Sequence, residues 1–170
     1  MKMTTDDVIL EDIAHALSLM CRGCGQIKYF YTVAQHSLNC AREAEARKLS
    51  KKLVLACLLH DASEAYISDI IRPVKSHLSN YLEIEGMIMG TILKKYGLDN
   101  LSDEENKAWK QIDDDMLDNE LKVMMSGEEN RSPVKLKSAP DFNEHNYMET
   151  EKTFLDKAKS LINLEPHTRD

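Results

Sequence analysis

Apolar residues recur every three or four positions along most of the chain, which is the spacing of amphipathic helices. No segment shows the sustained alternation of apolar and polar residues that is typical of a half-buried strand. The pattern predicts helices over about 6–20, 32–49, 50–66, 79–95, 102–125 and 143–162. The pattern predicts that residues 1–170 form one all-α domain, a bundle of five to seven helices. Its core is expected over about 6–125, followed by a Gly-, Ser- and Pro-rich loop over 126–140.

Short-range signals set the expected helix ends. Asp6 or Asp7 is expected to cap the first helix, and Thr32 to cap the second. Ser102 and Glu105 have the spacing of a capping box at the start of the fifth. Pro73 restricts the residue before it, so the segment after the third helix is expected to be extended.

Metal-binding side chains occupy positions where the helical pattern calls for apolar residues. His36 lies on the apolar stripe of the second helix, His60 and Asp61 on or beside that of the third, and Asp113 on that of the fifth. Burying an isolated carboxylate is costly, so inward-facing aspartates need a cation or strong donors. Mixed imidazole and carboxylate ligands favour one divalent ion, with Co²⁺, Mn²⁺ or Zn²⁺ better matched than Mg²⁺. Taken singly, each residue also fits the alternative of a hydrogen-bonded core residue.

Further polar residues follow the His-Asp pair. Glu64 is expected on the same arc of the third helix as His60 and Asp61, where a carboxylate can exchange a proton with metal-bound water. A solvated helix carboxylate is the alternative. Asp69, Arg72 and Lys75 lie beyond the helix end, where they are candidates to bind phosphate and ribose hydroxyl groups or simply form a polar loop. The residues alone do not decide between these functional roles and their structural alternatives.

The composition of the chain limits the kinds of partner that the protein is expected to bind. The net charge of −7 disfavours polymeric nucleic acid, which is bound mainly through Lys and Arg, but allows a small phosphorylated ligand. The longest apolar run, Leu53 to Leu59, is too short to cross a bilayer, and the first residues carry no secretory signal. We therefore expect a soluble, cytoplasmic protein without a membrane partner.

The four cysteines include a C-x-x-C pair, Cys21 and Cys24. Such a pair is also found in zinc sites and in redox motifs, which are the two alternatives to free thiols. A structural zinc site usually has a second close pair, whereas Cys40 and Cys57 stand alone in apolar helical patterns. Free, reduced cysteines are the expectation.

Several of these segments together resemble the HD-domain phosphohydrolases. The resemblance rests on the order H…HD…D, carried by YTVAQHS (31–37), LLHDASEAY (58–66), SDI (68–70), RPVK (72–75) and QIDDDML (111–117). Asp113 matches the final ligand, although Asp114 and Asp115 compete for that role. The best match is the branch of bacterial 5′-deoxynucleotidases and phage dATP triphosphohydrolases, over roughly two thirds of the chain.

This resemblance implies an HD fold with one divalent metal ion held by His36, His60, Asp61 and Asp113. It implies that Glu64 orients or deprotonates the attacking water. Asp69 would contact the substrate or donate a proton near the sugar. Arg22 corresponds to an arginine near the nucleotide, and Arg72 and Lys75 are further substrate-binding candidates. The family also suggests a homo-oligomer, a dimer or larger.

The implied reaction is hydrolysis of the 5′ phosphoester of a deoxynucleotide, with dATP or dAMP favoured, to a nucleoside plus triphosphate or phosphate. A 5′-deoxynucleotidase of broad base range and a non-catalytic nucleotide-binding HD domain are the alternatives. Gly23 departs from the family pattern, in which an aromatic residue beside the arginine packs near the base or sugar. Base preference is therefore open.

Overall fold

The computed structural model describes residues 3–162, and every regular element in that range is helical. An isolated bridge between Cys21 and Thr32 is the nearest approach to a strand in these residues. The helices are α1 (Leu10–Leu19), α2 (Val33–Ala46), α3 (Lys51–Leu59), α4 (Glu64–Ile67), α5 (Arg72–Lys75), α6 (Ser79–Lys95), α7 (Asp103–Met124) and α8 (Tyr147–Ile162). Two of them, α4 and α5, are single turns of four residues. The predicted all-α bundle is confirmed.

Helix α2 lies at the centre of the bundle, in contact with α1, α3, α7 and α8. After its first two residues, Lys51 and Lys52, helix α3 is apolar all round, and each residue from Leu53 to Leu59 is buried. A helix without a polar face has to be covered on every side, which explains its internal position. Helix α1 packs on α8, so the C-terminal part of the chain closes the bundle over its N-terminal part. None of the helices between residues 3 and 162 is long and apolar enough to cross a membrane.

Two of the predicted caps are present. The Thr32 side chain accepts a hydrogen bond from the Gln35 backbone N–H at the start of α2, and Ser102 and Glu105 form the predicted capping box of α7. The first cap is wrong. Thr4 and Asp7 instead close a separate 3₁₀ turn, and α1 begins only after Ile9.

The predicted third helix is wrong beyond residue 59. Helix α3 ends at Leu59, and residues 60–63 form turns before α4 begins at Glu64. The apolar pattern continues without a gap through this break, so periodicity could not show it. His60 and Asp61 therefore project from a helix end rather than from a helix face.

The prediction of extended backbone is wrong at Arg72 itself, whereas residues 68–71 before it lie outside any helix. Arg72 opens α5, and Pro73 occupies the first turn, where its missing N–H costs no hydrogen bond. The extended backbone falls one residue earlier, on Ile71. Two boundaries shift as well, since α2 ends at Ala46 rather than near 49 and α8 begins at Tyr147 rather than near 143.

Residues 136–143, here called the strap, run along α2 after the predicted loop. Gln35, Asn39 and Glu43 are spaced four residues apart on α2, and all three are buried. Glu43 accepts hydrogen bonds from the backbone N–H groups of Lys137 at 3.0 Å and Ser138 at 2.7 Å. Asn39 accepts from the Asp141 N–H at 3.0 Å and donates to the Asp141 carbonyl at 2.8 Å, and Gln35 donates to the Asn143 carbonyl at 2.9 Å. The strap thus replaces water as the partner of a polar stripe on α2.

Candidate metal centre

Four side chains from three parts of the chain converge beside α2. The His36 Nε2 atom lies 3.2 Å from His60 Nε2, 3.1 Å from Asp113 Oδ1 and 3.8 Å from Asp61 Oδ2. The His60 Nε2 atom lies 3.3 Å from Asp61 Oδ2 and 3.5 Å from Asp113 Oδ1. These four residues, here called the cluster, are the four that the sequence predicts to face inward.

The other ring nitrogens of the two histidines have fixed partners. His36 Nδ1 lies 2.7 Å from Glu120 Oε1, and His60 Nδ1 lies 2.7 Å from the backbone carbonyl of Cys57. Carboxylates and carbonyls accept hydrogen bonds, so each Nδ1 is the donor. In the neutral rings the Nε2 lone pairs then point at each other and at the two aspartates.

With both rings neutral, the cluster presents nitrogen and oxygen lone pairs to its centre, and these are ligand atoms that a metal ion can bind. Ligand atoms about 2.1 Å from a shared ion stand about 3.0–3.4 Å apart for right-angled to tetrahedral geometry, close to most of the separations seen here. Cys40 lies nearby, with its Sγ 3.6 Å from His36 Nε2. His36, Cys40 and His60 could hold a metal ion, since one ligand atom from each lies within 4.8 Å of the others.

Cys40 contributes a neutral thiol to this setting. Burial, together with the negative charges of Asp113 and Glu120, raises the pKa of the Cys40 thiol well above its ordinary value. The thiolate is the form that binds metals, so a metal ion bound here has to displace the thiol proton. No disulfide bond joins the four cysteines, all of which lie in the described part of the chain.

Each carboxylate of the cluster is paired with an arginine. Arg22 Nη1 lies 3.3 Å from Asp61 Oδ2, and Arg72 Nη2 lies 2.6 Å from Asp113 Oδ2. Partners of this kind orient ligands and are a regular part of metal sites. Together with Glu120 and the Cys57 carbonyl, they give all four cluster residues an outer partner.

The structure separates the three consecutive aspartates of α7. Asp113 Oδ1 faces the two histidines, whereas Asp114 is bound to the far side of Arg72 at 2.6 Å. Asp115 points elsewhere and pairs with Arg47 at 2.7 Å. Successive helical residues are rotated by about 100°, so one of the three can reach the cluster.

The charges in the cluster compensate one another. Burial lowers the pKa of His60, but the carboxylates of Asp61 and Asp113 outweigh it and raise that pKa well above its ordinary value. Burial raises the pKa values of both aspartates, and hydrogen bonds and charges from the histidines hold them well below the usual range. Protons on the imidazoles thus balance the carboxylates, and a metal ion has to compete with those protons.

Glu64 lies at the first position of α4 and is 3% exposed, so the alternative of a solvated carboxylate is wrong. Its Oε2 atom is buried without a hydrogen-bond partner among the described residues, and Lys75 Nζ lies 3.9 Å from Oε1. Burial, followed by the charges of Asp61 and Asp69, raises the pKa of Glu64 to about 9. At neutral pH this carboxyl therefore holds a proton next to the cluster.

The other predicted site residues surround this arrangement. Arg72 is half exposed, Lys75 pairs with Glu85 as well as facing Glu64, and Asp69 is partly buried in the loop between α4 and α5. Arg22 lies deeper, where its guanidinium also faces Glu120 at 3.5 Å. The structure brings Arg22 and Arg72 onto cluster carboxylates.

The backbone explains the glycine beside Arg22. Gly23 has φ 58° and Cys24 has φ 53°, so two successive residues adopt the left-handed conformation. An aromatic residue at position 23 would be strained there, because a Cβ makes this conformation unfavourable. Consequently the loop that carries Arg22 has a shape that disfavours the aromatic residue expected from the family pattern.

Glu120 is a residue of this site that the sequence pattern does not predict. It is buried, and its Oε1 atom accepts hydrogen bonds from His36 and from the Tyr31 hydroxyl at 2.9 Å. Burial raises its pKa, but the charges of His36 and Arg22 outweigh this effect and hold the pKa below its ordinary value. The available signal was its position seven residues after Asp113, two turns further along the same face of α7.

Comparison with known proteins gives relatives but no activity. No family model matches the chain. The uncharacterized protein YfdR of Escherichia coli is 39% identical over 97 residues, which are 57% of this chain and 52% of that protein. The uncharacterized protein RCAP_rcc00048 of Rhodobacter capsulatus is 38% identical over 101 residues, 56% of this chain and 51% of that protein. The chain spans about half the length of the curated relatives it matches, so its chemistry has to be argued from the site.

Proposed function

We propose that the protein is a metal-dependent phosphohydrolase of the HD-domain type that cleaves the 5′ phosphoester of a deoxynucleotide, with dATP or dAMP favoured. The observation that carries the proposal is the cluster with Glu64 buried beside it. Two imidazoles and two carboxylates that converge, next to a buried carboxyl group with an oxygen that is unpartnered among residues 3–162, supply the groups that hydrolysis with an activated water requires.

In this proposal His36, His60, Asp61 and Asp113 hold one divalent ion, with Co²⁺, Mn²⁺ or Zn²⁺ preferred over Mg²⁺ because two ligands are imidazoles. Such an ion supplies a water of lowered pKa and polarises a phosphoryl oxygen. The four side chains are already oriented by Glu120, the Cys57 carbonyl, Arg22 and Arg72, so little rearrangement is needed for binding.

Glu64 exchanges the proton. Its Oε2 atom has no other partner in the described part of the chain, so it is free to bind the attacking water. A nearby positive charge lowers the pKa of a carboxyl group, so the loaded site has a Glu64 that gives up its proton more readily. The carboxylate can then take a proton from water at neutral pH.

The cations around the cluster bind the phosphate groups. Arg72 and Lys75 are the better candidates for direct contact, since Arg72 is half exposed and Lys75 faces Glu64 from α5. Arg22 is already engaged by Asp61 and Glu120, so its first role is to balance their charge. Asp69, whose charge acts on Glu64, is the candidate for contact with the sugar.

A product assay tests the proposal. Protein stripped of metal is reloaded with Co²⁺, Mn²⁺, Zn²⁺ or Mg²⁺ and incubated with each dNMP, dNTP and rNTP, and chromatography separates nucleoside, phosphate and triphosphate. Nucleoside plus triphosphate from a dNTP supports a triphosphohydrolase, whereas nucleoside from monophosphates alone indicates a 5′-deoxynucleotidase. No product with any metal contradicts the proposal and leaves the nucleotide-binding alternative.

A further inference from the structure

We propose that Glu120 is a positioning residue that sets the ring orientation and tautomer of His36, supported by Tyr31 and Asn39. The inference rests on the metal site of the proposed function. Glu120 is a buried carboxylate outside the cluster, and the proposed hydrolysis gives it no direct role. The inference assigns it one.

The contacts of Glu120 are directed at the outer side of the cluster. Its Oε1 atom receives the His36 Nδ1 hydrogen bond at 2.7 Å, and both residues are almost completely buried. The bond fixes the proton on Nδ1, which leaves Nε2 as the nitrogen that faces His60 and Asp113. Without the carboxylate, either tautomer of the ring would be available.

The same carboxylate reaches a second cluster residue through Arg22. The Arg22 guanidinium lies 3.5 Å from Glu120 Oε2 and 3.3 Å from Asp61 Oδ2, so it bridges the two groups. Glu120 therefore influences His36 directly and Asp61 indirectly. A negative charge on the far side of an imidazole also makes the ring a stronger donor to a metal.

Glu120 is itself held in place from the side of the strap. The Tyr31 hydroxyl donates to Glu120 Oε1 at 2.9 Å and accepts from Asn39 Nδ2 at 2.9 Å. Asn39 in turn is fixed by both backbone groups of Asp141. This chain of hydrogen bonds connects the strap to the cluster and gives Glu120 one orientation.

The experiment compares Co²⁺ affinity and the visible absorption of the bound ion in metal-stripped wild type, Glu120→Gln and Tyr31→Phe. Glu120→Gln keeps the shape but removes the charge, so the dissociation constant is expected to rise about 10- to 100-fold, the range for outer partners of metal ligands. A shift of the absorption bands is expected too, because the donor strength of His36 changes. Tyr31→Phe removes one donor and is expected to weaken binding about threefold to tenfold.

Glu43→Gln is the matched control, since Glu43 is equally buried but contacts Arg47 and the strap. It is expected to lower the melting temperature without changing Co²⁺ affinity or absorption. Unchanged affinity and bands in Glu120→Gln overturn the inference while leaving the metal site intact. Should circular dichroism show Glu120→Gln to be unfolded, unchanged affinity in Tyr31→Phe overturns it instead. A wild type that binds no Co²⁺ overturns both the inference and the proposed function.

Discussion

Two neighbouring stripes of helix α2 bury polar side chains, and they do so in opposite ways. Gln35, Asn39 and Glu43 face the strap, whose backbone groups satisfy their hydrogen bonds. His36 and Cys40 lie on the other stripe, where the His36 Nε2 atom is close to acceptor atoms of two aspartates and a second histidine. Both stripes have the spacing of one helical turn, so the sequence pattern alone does not separate them.

The difference lies in whether the chain supplies the partners. A buried polar group with a complete set of protein partners stabilises one fold and needs nothing else. Acceptors that face each other are costly unless protons or a cation lie between them. We therefore expect the strap side of α2 to stabilise the fold and the cluster side to bind a ligand, and the following changes test that expectation.

The largest expected effect is that of Asp61→Ala. The variant deletes a proposed ligand, so metal affinity should fall by more than the about 100-fold limit for outer partners, and hydrolysis should fall with it. Isothermal titration with Co²⁺ and the product assay measure the two. Asp118→Ala is the control, because Asp118 lies on α7 but pairs with Arg131. Equal metal binding by Asp61→Ala and wild type would contradict the ligand assignment.

Glu64→Gln should separate binding from chemistry. We expect metal affinity to stay within about twofold and turnover to fall about 10²- to 10⁴-fold, the usual contribution of a proton-transferring group. Steady-state kinetics on the substrate identified by the product assay measures the turnover of each variant. Glu85→Gln is the matched variant, because Glu85 pairs with the same lysine, Lys75, and should keep its turnover. A normal kcat in Glu64→Gln would show that the assigned role is wrong.

On the strap side, Glu43→Gln should reduce the free energy of unfolding by about 3 kcal/mol, because it removes a buried carboxylate that accepts hydrogen bonds from Arg47 and two backbone groups. Urea denaturation followed by circular dichroism measures this. Metal affinity should not change. A loss of metal binding together with stability would mean that the contact of the strap with Glu43 also affects the cluster, through Asn39 and Tyr31.

The stabilising effect of Glu43 should depend on pH. Burial raises the pKa of Glu43, but hydrogen bonds from Ser138 and Lys137 outweigh it and hold the pKa at about 2. Because the folded pKa is below the ordinary value, the stabilisation is present above about pH 4.5 and is lost as the pH falls toward 2. The difference in free energy of unfolding between wild type and Glu43→Gln should therefore be constant from pH 7 to 5 and decrease below pH 5. A gap that stays constant to pH 3 would contradict this assignment.

The smallest expected effect belongs to Arg72→Gln. Arg72 pairs with Asp113, but its side chain is 53% exposed, so the pair is worth about 1 kcal/mol or less, about fivefold in metal affinity. The difference should shrink in high salt, which screens exposed charges. Repeating the Co²⁺ titration at low and high ionic strength checks both statements, and a 100-fold effect would place Arg72 among the main determinants of the site.

The sequence was informative where a polar residue interrupts an apolar stripe. His36 and Asp113 were found because each lies on a helical face that is otherwise apolar, and Ser102 and Thr32 were found because caps act within one turn. Glu120 was missed because a carboxylate on a long, charged helix resembles a solvated one until the packing of α2 on α7 is known. The turns at 60–63 were missed because the apolar pattern runs through them.

Periodicity, caps and the position of interrupting polar residues depend on a few neighbouring residues. The sequence by itself therefore determined the longer helices and the residue types of the cluster, but not the short helices α4 and α5. Whether a buried acceptor finds a hydrogen-bond donor depends on contacts between residues far apart in the chain. The separation is 94 residues for Glu43 and Lys137 and 77 for His36 and Asp113. Only the tertiary structure decided that the strap supplies donors to one stripe of α2 and that the other faces three more acceptors. The physical reason is that hydrogen-bond satisfaction is a property of the packed chain and not of its local pattern.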